Sequence, residues 1–169
     1  ESVVVGLNQY VKLVGSGRDS TVIGGKTGVS VGPAIDATAT GSRLWISSLT
    51  IESNDSTSGT ASAGLKTTNG IIMFVHDCHI IGALGPSGAA QYGIDGDPFG
   101  SPAVIQNCNI SGAYGINMGG ATEHPVITNC NFDGCTIGLA LGEDSLVTGC
   151  YFENCTTGIS LGSLANDVH

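Results

Sequence analysis

The stretch Val104-Ile105-Gln106-Asn107-Cys108-Asn109-Ile110 decides the fold, because close copies of it recur along the chain. Each copy has two short apolar runs that meet at a polar bend. The copies are Phe74-Val75-His76-Asp77-Cys78-His79-Ile80, Val126-Ile127-Thr128-Asn129-Cys130-Asn131-Phe132, Leu146-Val147-Thr148-Gly149-Cys150-Tyr151-Phe152 and a weaker Trp45-Ile46-Ser47-Ser48-Leu49-Thr50-Ile51. An internal repeat of this kind is typical of solenoids, in which each repeat packs on its neighbours.

A second signal, Gly-apolar-x-apolar-Gly, accompanies the repeat. It occurs at Gly115-Ile116-Asn117-Met118-Gly119, Gly138-Leu139-Ala140-Leu141-Gly142, Gly158-Ile159-Ser160-Leu161-Gly162 and Gly28-Val29-Ser30-Val31-Gly32, and loosely at Gly93-Ile94-Asp95-Gly96-Asp97. The spacing is 20 residues from Cys130 to Cys150 and 22 from Cys108 to Cys130. It is 30 from Cys78 to Cys108, and the excess falls in residues 84–92 and 98–102, which we interpret as loops on the rim of the solenoid.

The repeat predicts an all-β fold. Apolar residues alternate with period 2, and no stripe with the 3.6-residue period of a helix is present. Three short strands and three turns account for about 20 residues per coil. We therefore predict a single-stranded parallel β-helix of about six coils, each of ~20–22 residues with three strands, that spans residues 1–169 as one domain. Neither end of the sequence resembles a polar cap, so we expect the segment to belong to a longer chain.

The composition of the chain limits the classes of molecule that it is expected to bind. The chain has five Lys and Arg residues against fourteen Asp and Glu, a formal net charge of −9. Such a charge argues against nucleic acid, because phosphate binding needs clustered Lys and Arg, and against anionic membrane surfaces. No apolar run is long enough to cross a bilayer, so membrane insertion is not expected. Neutral glycans, cations and proteins remain as partner classes.

The opening stretch Tyr10-Val11-Lys12-Leu13-Val14-Gly15-Ser16-Gly17, then Thr21-Val22-Ile23-Gly24, has the pattern of a first coil. Together with the later Asn-Cys and Gly-apolar repeats, it resembles the pectate-lyase-like superfamily of right-handed parallel β-helices. That superfamily includes pectin-modifying enzymes and the tailspikes of bacteriophages. The resemblance covers nearly the whole chain and is specific for the fold rather than for an activity.

The resemblance implies three alternative functions. The first is a structural and receptor-binding module of a phage tailspike or tail fibre, a homotrimer that binds host surface polysaccharide and other phage tail proteins. Such a protein would be made in the host cytoplasm and act in the virion tail. The second is a polysaccharide lyase or glycosidase, and the third is a secreted bacterial adhesin.

Two sets of conspicuous residues are interpreted as scaffold. Asn107 and Asn129 fall at the same bend, where Asn tolerates a left-handed backbone, and in the family such residues form a ladder. The six cysteines fall into two columns, Cys78, Cys108, Cys130 and Cys150 in one and Cys135 and Cys155 in the other. We favour buried free thiols over disulfides or a metal site, which suits a reducing cytoplasm, whereas oxidised cysteines would favour secretion.

The candidate catalytic and glycan-binding residues lie at and around the place where the repeat is interrupted. The candidate catalytic carboxylates are Asp95, Asp97 and Glu123, and the candidate glycan-binding residues are Lys66, Asn117 and His124. Paired carboxylates can hydrolyse a glycosidic bond. No cofactor is expected; the alternative implied by the resemblance is Ca²⁺, which such oxygen ligands hold in pectate lyases. The alternative is that these carboxylates are solvated turn residues.

An apolar column precedes the inward positions of the repeat. It consists of Trp45, Phe74, Val104, Val126 and Leu146. Strand alternation places it on the outside, where an apolar stripe marks an interface. Three β-helices packed around a shared axis, as in tailspikes, would bury it. The alternative is that these strand starts are covered by a neighbouring turn.

Overall fold

Each sequence repeat forms one coil of short strands. The computed structural model describes residues 3–4, 6, 9–24, 33–38, 41–52, 62–67, 71–82, 91–96, 102–118, 124–142 and 144–162. The strands are β1 (Val3–Val4), β2 (Tyr10–Val14), β3 (Val22–Gly24), β4 (Ile35–Ala37), β5 (Arg43–Ser47), β6 (Thr50–Glu52), β7 (Ser62–Thr67), β8 (Ile72–His76), β9 (His79–Ile81), β10 (Gln91–Gly96), β11 (Ala103–Gln106), β12 (Asn109–Ser111), β13 (Tyr114–Met118), β14 (Val126–Thr128), β15 (Asn131–Asp133), β16 (Ile137–Leu141), β17 (Leu146–Thr148), β18 (Tyr151–Glu153) and β19 (Thr157–Leu161).

The strands assemble into three parallel sheets. Sheet A has the order β1-β4-β7-β10-β13-β16-β19, sheet B the order β2-β5-β8-β11-β14-β17, and sheet C the order β3-β6-β9-β12-β15-β18. The chain visits sheet B, then C, then A in every coil, so equivalent strands of successive coils pair. This arrangement confirms the predicted parallel β-helix of about six coils. The described residues include no helix, and hence none long and apolar enough to cross a membrane.

The core consists of columns of inward-facing side chains, and each sheet contributes at least one column. Sheet B stacks Ile46, Val75, Ile105 and Ile127, and sheet C stacks Ile51, Ile80, Ile110 and Phe132, all at most 1% exposed. Full burial of one such side chain stabilises the fold by about 1.5–3 kcal/mol. The period-2 alternation of the strands therefore converts a linear repeat into a continuous apolar interior.

The bends between sheets B and C use a left-handed backbone. Ser48, Asp77, Asn107 and Asn129 have φ between 53° and 55°, and Gly149 in the same position has a φ of 63°. Asn, Asp and Gly adopt this conformation at lower cost than other residues. The predicted assignment of Asn107 and Asn129 to one bend position is confirmed.

All six cysteines are free. The thiol of Cys108 donates to the carbonyl oxygen of Gln106 at 3.2 Å, and that of Cys130 donates to Thr128 at 3.4 Å. Cys78, Cys108, Cys130 and Cys135 are buried in the core. The interpretation as buried thiols is confirmed for these four cysteines, whereas Cys150 and Cys155 are half-buried.

The order of the Gly-apolar-x-apolar motifs along the chain predicts that Ser30 of the Gly28–Gly32 motif lies next to Lys66 on the outer face of the sheet, and this prediction is wrong. The Gly28–Gly32 motif lies outside the described residues, and the strand that pairs with β7 in sheet A is β4 instead. Asp36, not Ser30, therefore lies opposite Lys66. Ile35 and Ala37, the apolar residues on either side of Asp36, are fully buried.

Candidate functional site

The outer face of sheet A brings three predicted residues together. Asp95 in β10 lies in register between Lys66 in β7 and Asn117 in β13, so the three side chains are spaced one strand apart. The Nδ2 of Asn117 donates a hydrogen bond to Oδ1 of Asp95 at 3.0 Å. Lys66 is exposed, and Asp95 and Asn117 are half-buried. The result is a fixed row of a cation, a carboxylate and an amide on a rigid sheet.

Two tyrosines precede this row, one on β10 and one on β13. Tyr92 and Tyr114 are in register on β10 and β13, and their ring centroids are 5.1 Å apart with an interplanar angle of 36°. The glycine that follows Tyr92 faces the core, because a Cβ on Gly93 would lie 3.0 Å from the side chain of Ile110. The inward-outward alternation is interrupted here, because Gly93 and Ile94 are both buried. Tyr92 and Tyr114 themselves are half-buried.

Tyr92 lies three residues before Asp95 on β10, near enough for the charge of the carboxylate to act on its hydroxyl. Burial raises the pKa of the Tyr92 hydroxyl above its usual value, and the negative charge of Asp95 raises it further. Tyr92 is half-buried, so its ring offers an apolar edge while the hydroxyl keeps its proton. The row and the tyrosine pair together form the sheet A site, which we define as Lys66, Tyr92, Asp95, Tyr114 and Asn117.

The tyrosine pair was missed at the level of sequence. A usable signal was present, because a tyrosine immediately precedes the glycine of the motif in Tyr92-Gly93 and again in Tyr114-Gly115. The same position holds Ile137 in the following coil, so the pattern is not a repeat feature. Only the register between the coils shows that the two rings are in contact.

The remaining predicted residues are placed differently. Asp97 and Glu123 lie outside the described residues. His124 has a φ of 56° and an exposed side chain, and its Nδ1 lies 3.9 Å from Oδ2 of Asp144 on the next coil. Within the described ranges no group of three His, Cys, Asp or Glu residues could hold a metal ion. A calcium site that uses Asp97 and Glu123 stays a prediction.

The apolar stripe, defined as Trp45, Phe74, Val104, Val126 and Leu146, is a single register column on the outer face of sheet B. Phe74 and Leu146 are 37% and 43% exposed, and the other three residues are half-buried. Its role as an interface stays a prediction. The stripe changes character along its length, because it is aromatic in the early coils and aliphatic from Val104 onward.

The aromatic half of the stripe borders a groove. The rings of Trp45 and Phe74 stack with centroids 5.5 Å apart, and the imidazole of His76 meets Trp45 edge-on at 5.2 Å. The Nζ of Lys12 stands 5.8 Å from the centroid of Trp45. The groove has a volume of about 190 Å³ and is lined by Trp45, Phe74, Val75, His76, Val104 and Gln106.

A polar network orients His76 beside this groove. Its Nδ1 lies 3.0 Å from Oδ2 of Asp77, whose Oδ1 is 3.7 Å from Nη2 of Arg18. The hydrogen bond with His76 holds the pKa of Asp77 below its usual value, and the charge of Arg18 adds to the effect. Asp77 is therefore ionised at neutral pH and engages one of the two ring nitrogens of His76.

Comparisons with known proteins agree with this geometry. Residues 87–168, just under half of the chain, match a family model described as a right handed beta helix region. No curated protein and no solved structure matches the chain. The match and the three parallel sheets together support a place for this chain in the superfamily of right-handed parallel β-helix proteins.

Proposed function

We propose that this chain is a structural and receptor-binding β-helical module of a phage tailspike or tail fibre, and that it binds host surface polysaccharide at the sheet A site. The observation that carries the proposal is the contact of Tyr92 with Tyr114 beside the hydrogen-bonded pair of Asp95 and Asn117. Aromatic rings next to a few oriented polar groups are the usual composition of a small-molecule site.

The chemistry of the site matches that of a sugar. A pyranose ring has apolar C–H faces and a rim of hydroxyl groups. The tyrosines offer apolar surface with a hydroxyl at the tip, and the carboxylate of Asp95 accepts hydrogen bonds from sugar hydroxyls. Asn117 both donates and accepts, and Lys66 donates. Each kind of group on the sugar therefore has a counterpart at the sheet A site.

The scaffold supports recognition of a polymer. Equivalent strands lie about 4.8 Å apart, so the sheet A site is one stretch of a flat and rigid face. The hydrogen bond from Asn117 holds Asp95 in place before any ligand arrives, which lowers the entropic cost of binding. The net charge of −9 favours neutral over strongly anionic polysaccharides at this face.

Binding is better supported here than catalysis. Glycoside hydrolysis needs two carboxyl groups about 5–10 Å apart. In the described part of β10 and β13, the neighbour of Asp95 is the amide of Asn117 rather than a second carboxyl group. The lyase or glycosidase alternative would depend on Asp97, on Glu123 or on Asp36, which lies two strands from Asp95 in the same outward column, about 10 Å away.

The test is a binding assay on an array of purified bacterial capsular and O-antigen polysaccharides. Tyr114→Ala removes one ring of the pair, and we expect it to weaken the wild-type affinity about tenfold, as loss of an aromatic contact predicts. Tyr151→Ala is the matched control, because Tyr151 is 62% exposed on sheet C. Capture of no polysaccharide by the wild type, or an equal loss in the control variant, would refute the proposal.

The same experiment separates binding from catalysis. Captured polysaccharide is incubated with the wild type and with Asp95→Asn, and reducing ends and unsaturated products are followed. No product with either protein is the result expected of a binding module. Product that depends on Asp95 would overturn it in favour of the enzyme alternative.

A further inference from the structure

We infer that the groove beside Trp45 on the outer face of sheet B is a second binding site, and that it accepts a single acidic sugar ring such as a hexuronate. The groove lies on a different sheet from the proposed polysaccharide site and shares no residue with it. The inference therefore goes beyond the proposed function and stands or falls separately.

The groove has one apolar wall and one polar wall. Trp45, Phe74 and Val104 belong to the apolar stripe, whereas His76 and Gln106 lie in register in the next outward column. Sites for drug-sized ligands have volumes of about 300–1,000 Å³. The volume of about 190 Å³ suits one ring whose apolar face lies on the aromatic wall and whose hydroxyls reach the polar wall.

The polar wall is held in place before a ligand binds. Asp77 engages Nδ1 of His76 at 3.0 Å, which leaves Nε2 as the nitrogen available for a ligand. The ring of Trp45 also contacts the imidazole edge-on, with centroids 5.2 Å apart. A preorganised donor or acceptor is worth more in binding than a mobile one, because less side-chain freedom is lost.

The charge around the groove selects an anion. Lys12 is exposed with its ammonium over Trp45, and the exposed Arg43 lies two residues before Trp45 on the same face of β5. The nearby carboxylate of Asp77 is already paired with His76 and Arg18. Among the described residues, Lys12 and Arg43 therefore add positive charge at the Trp45 end of the groove, which complements the carboxylate of a uronic acid.

The geometry also distinguishes a sugar from a second copy of the chain. The aliphatic half of the stripe, from Val104 to Leu146, is apolar enough for contact between copies. The aromatic half is flanked by Lys12, Arg43 and His76, and burial against an apolar surface would leave their charges and polar groups unpaired. A ligand that is both flat and anionic satisfies this half better.

The experiment uses the single tryptophan of the chain as the reporter. Trp45 is the only tryptophan, so its fluorescence responds to occupancy of the groove and not to the sheet A site. The protein is titrated with methyl glucuronide and, separately, with methyl glucoside, the neutral sugar of the same shape. Matched variants are Lys12→Gln beside the groove and Lys66→Gln on sheet A, each of which removes one positive charge.

We expect a saturable change in Trp45 emission, with methyl glucuronide bound about three- to fivefold more tightly than methyl glucoside, the size of one exposed charge pair. Lys12→Gln should abolish most of this preference, and Lys66→Gln should keep it. No saturable response to either sugar, equal affinity for both, or equal loss in the two variants would overturn the inference. A response that follows protein concentration rather than sugar would identify a second copy as the occupant and also overturn it.

Discussion

Phe132 and Phe152 stack in adjacent coils with ring centroids 4.8 Å apart and planes 10° apart. The separation equals the distance between paired strands, so the rings continue the spacing of sheet C inside the core. Glycine makes the space for them. A Cβ on Gly115 would lie 2.9 Å from Phe132, and a Cβ on Gly138 would lie 2.7 Å from Phe152. The glycine of the Gly-apolar-x-apolar motif is thus a packing requirement.

The first prediction concerns this ring pair. Phe132 is fully buried, so Phe132→Ala should lower the free energy of unfolding by about 3–5 kcal/mol through lost burial and a residual cavity. Phe152→Ala should lower the free energy of unfolding by clearly less, because Phe152 is only half-buried. Urea unfolding followed by circular dichroism measures both. Equal losses in the two variants would show that the stacking is not arranged as described.

The second prediction concerns the bend shared by Asn129 and Gly149. A Cβ added to Gly149, where φ is 63°, would collide with Oδ1 of Asn129. Gly149→Ala should therefore lower the free energy of unfolding by more than the roughly 1–2 kcal/mol that an alanine with a left-handed backbone conformation costs by itself. Asn129→Gly removes the colliding side chain, so the double variant should recover part of the loss. Strictly additive effects in this double-mutant cycle would contradict the contact.

The third prediction concerns pH. Burial raises the pKa of the Cys135 thiol from 9.0 to about 12, and Cys155 adds to the effect. The folded state therefore keeps this proton when the unfolded chain has lost it. The stability that Cys135 contributes is present below pH 9 and declines as the pH rises from 9 towards 12.

Urea unfolding at pH 7.5 and pH 10 under reducing conditions tests whether stability falls as the pH rises. The wild type should lose stability between the two pH values, and Cys135→Ala should lose less. An identical loss in the variant would assign the alkaline sensitivity to other groups.

The fourth prediction concerns the aliphatic half of the stripe. The tailspike proposal requires three copies of the chain in contact, and Val126 lies at the centre of that half. Val126→Asp should dissociate the assembly, because an unpaired carboxylate is costly in an apolar interface. Thr128→Asp is the control, since Thr128 lies two residues further along β14 on the same face but off the stripe. Mass from sedimentation equilibrium distinguishes the outcomes, and a monomeric wild type would contradict the prediction.

The sequence by itself determined the coil and most of its columns. Alternation with period 2 decides which side chains face inward, and a repeat of nearly constant length places equivalent residues one above the other. Asn107 above Asn129 and Cys108 above Cys130 follow from that rule without any coordinates.

Tertiary structure decided what the constant repeat could not. Where long segments separate the strands, the local pattern did not identify the partner of β7, which is β4 with Ile35 fully buried. Tyr92 meets Tyr114, and Trp45 meets Phe74, only because paired strands from different coils come into register. Such contacts join residues more than twenty positions apart, and their geometry depends on loop lengths and side-chain rotamers rather than on local pattern. Local periodicity therefore specifies the scaffold, whereas packing between coils creates the sites.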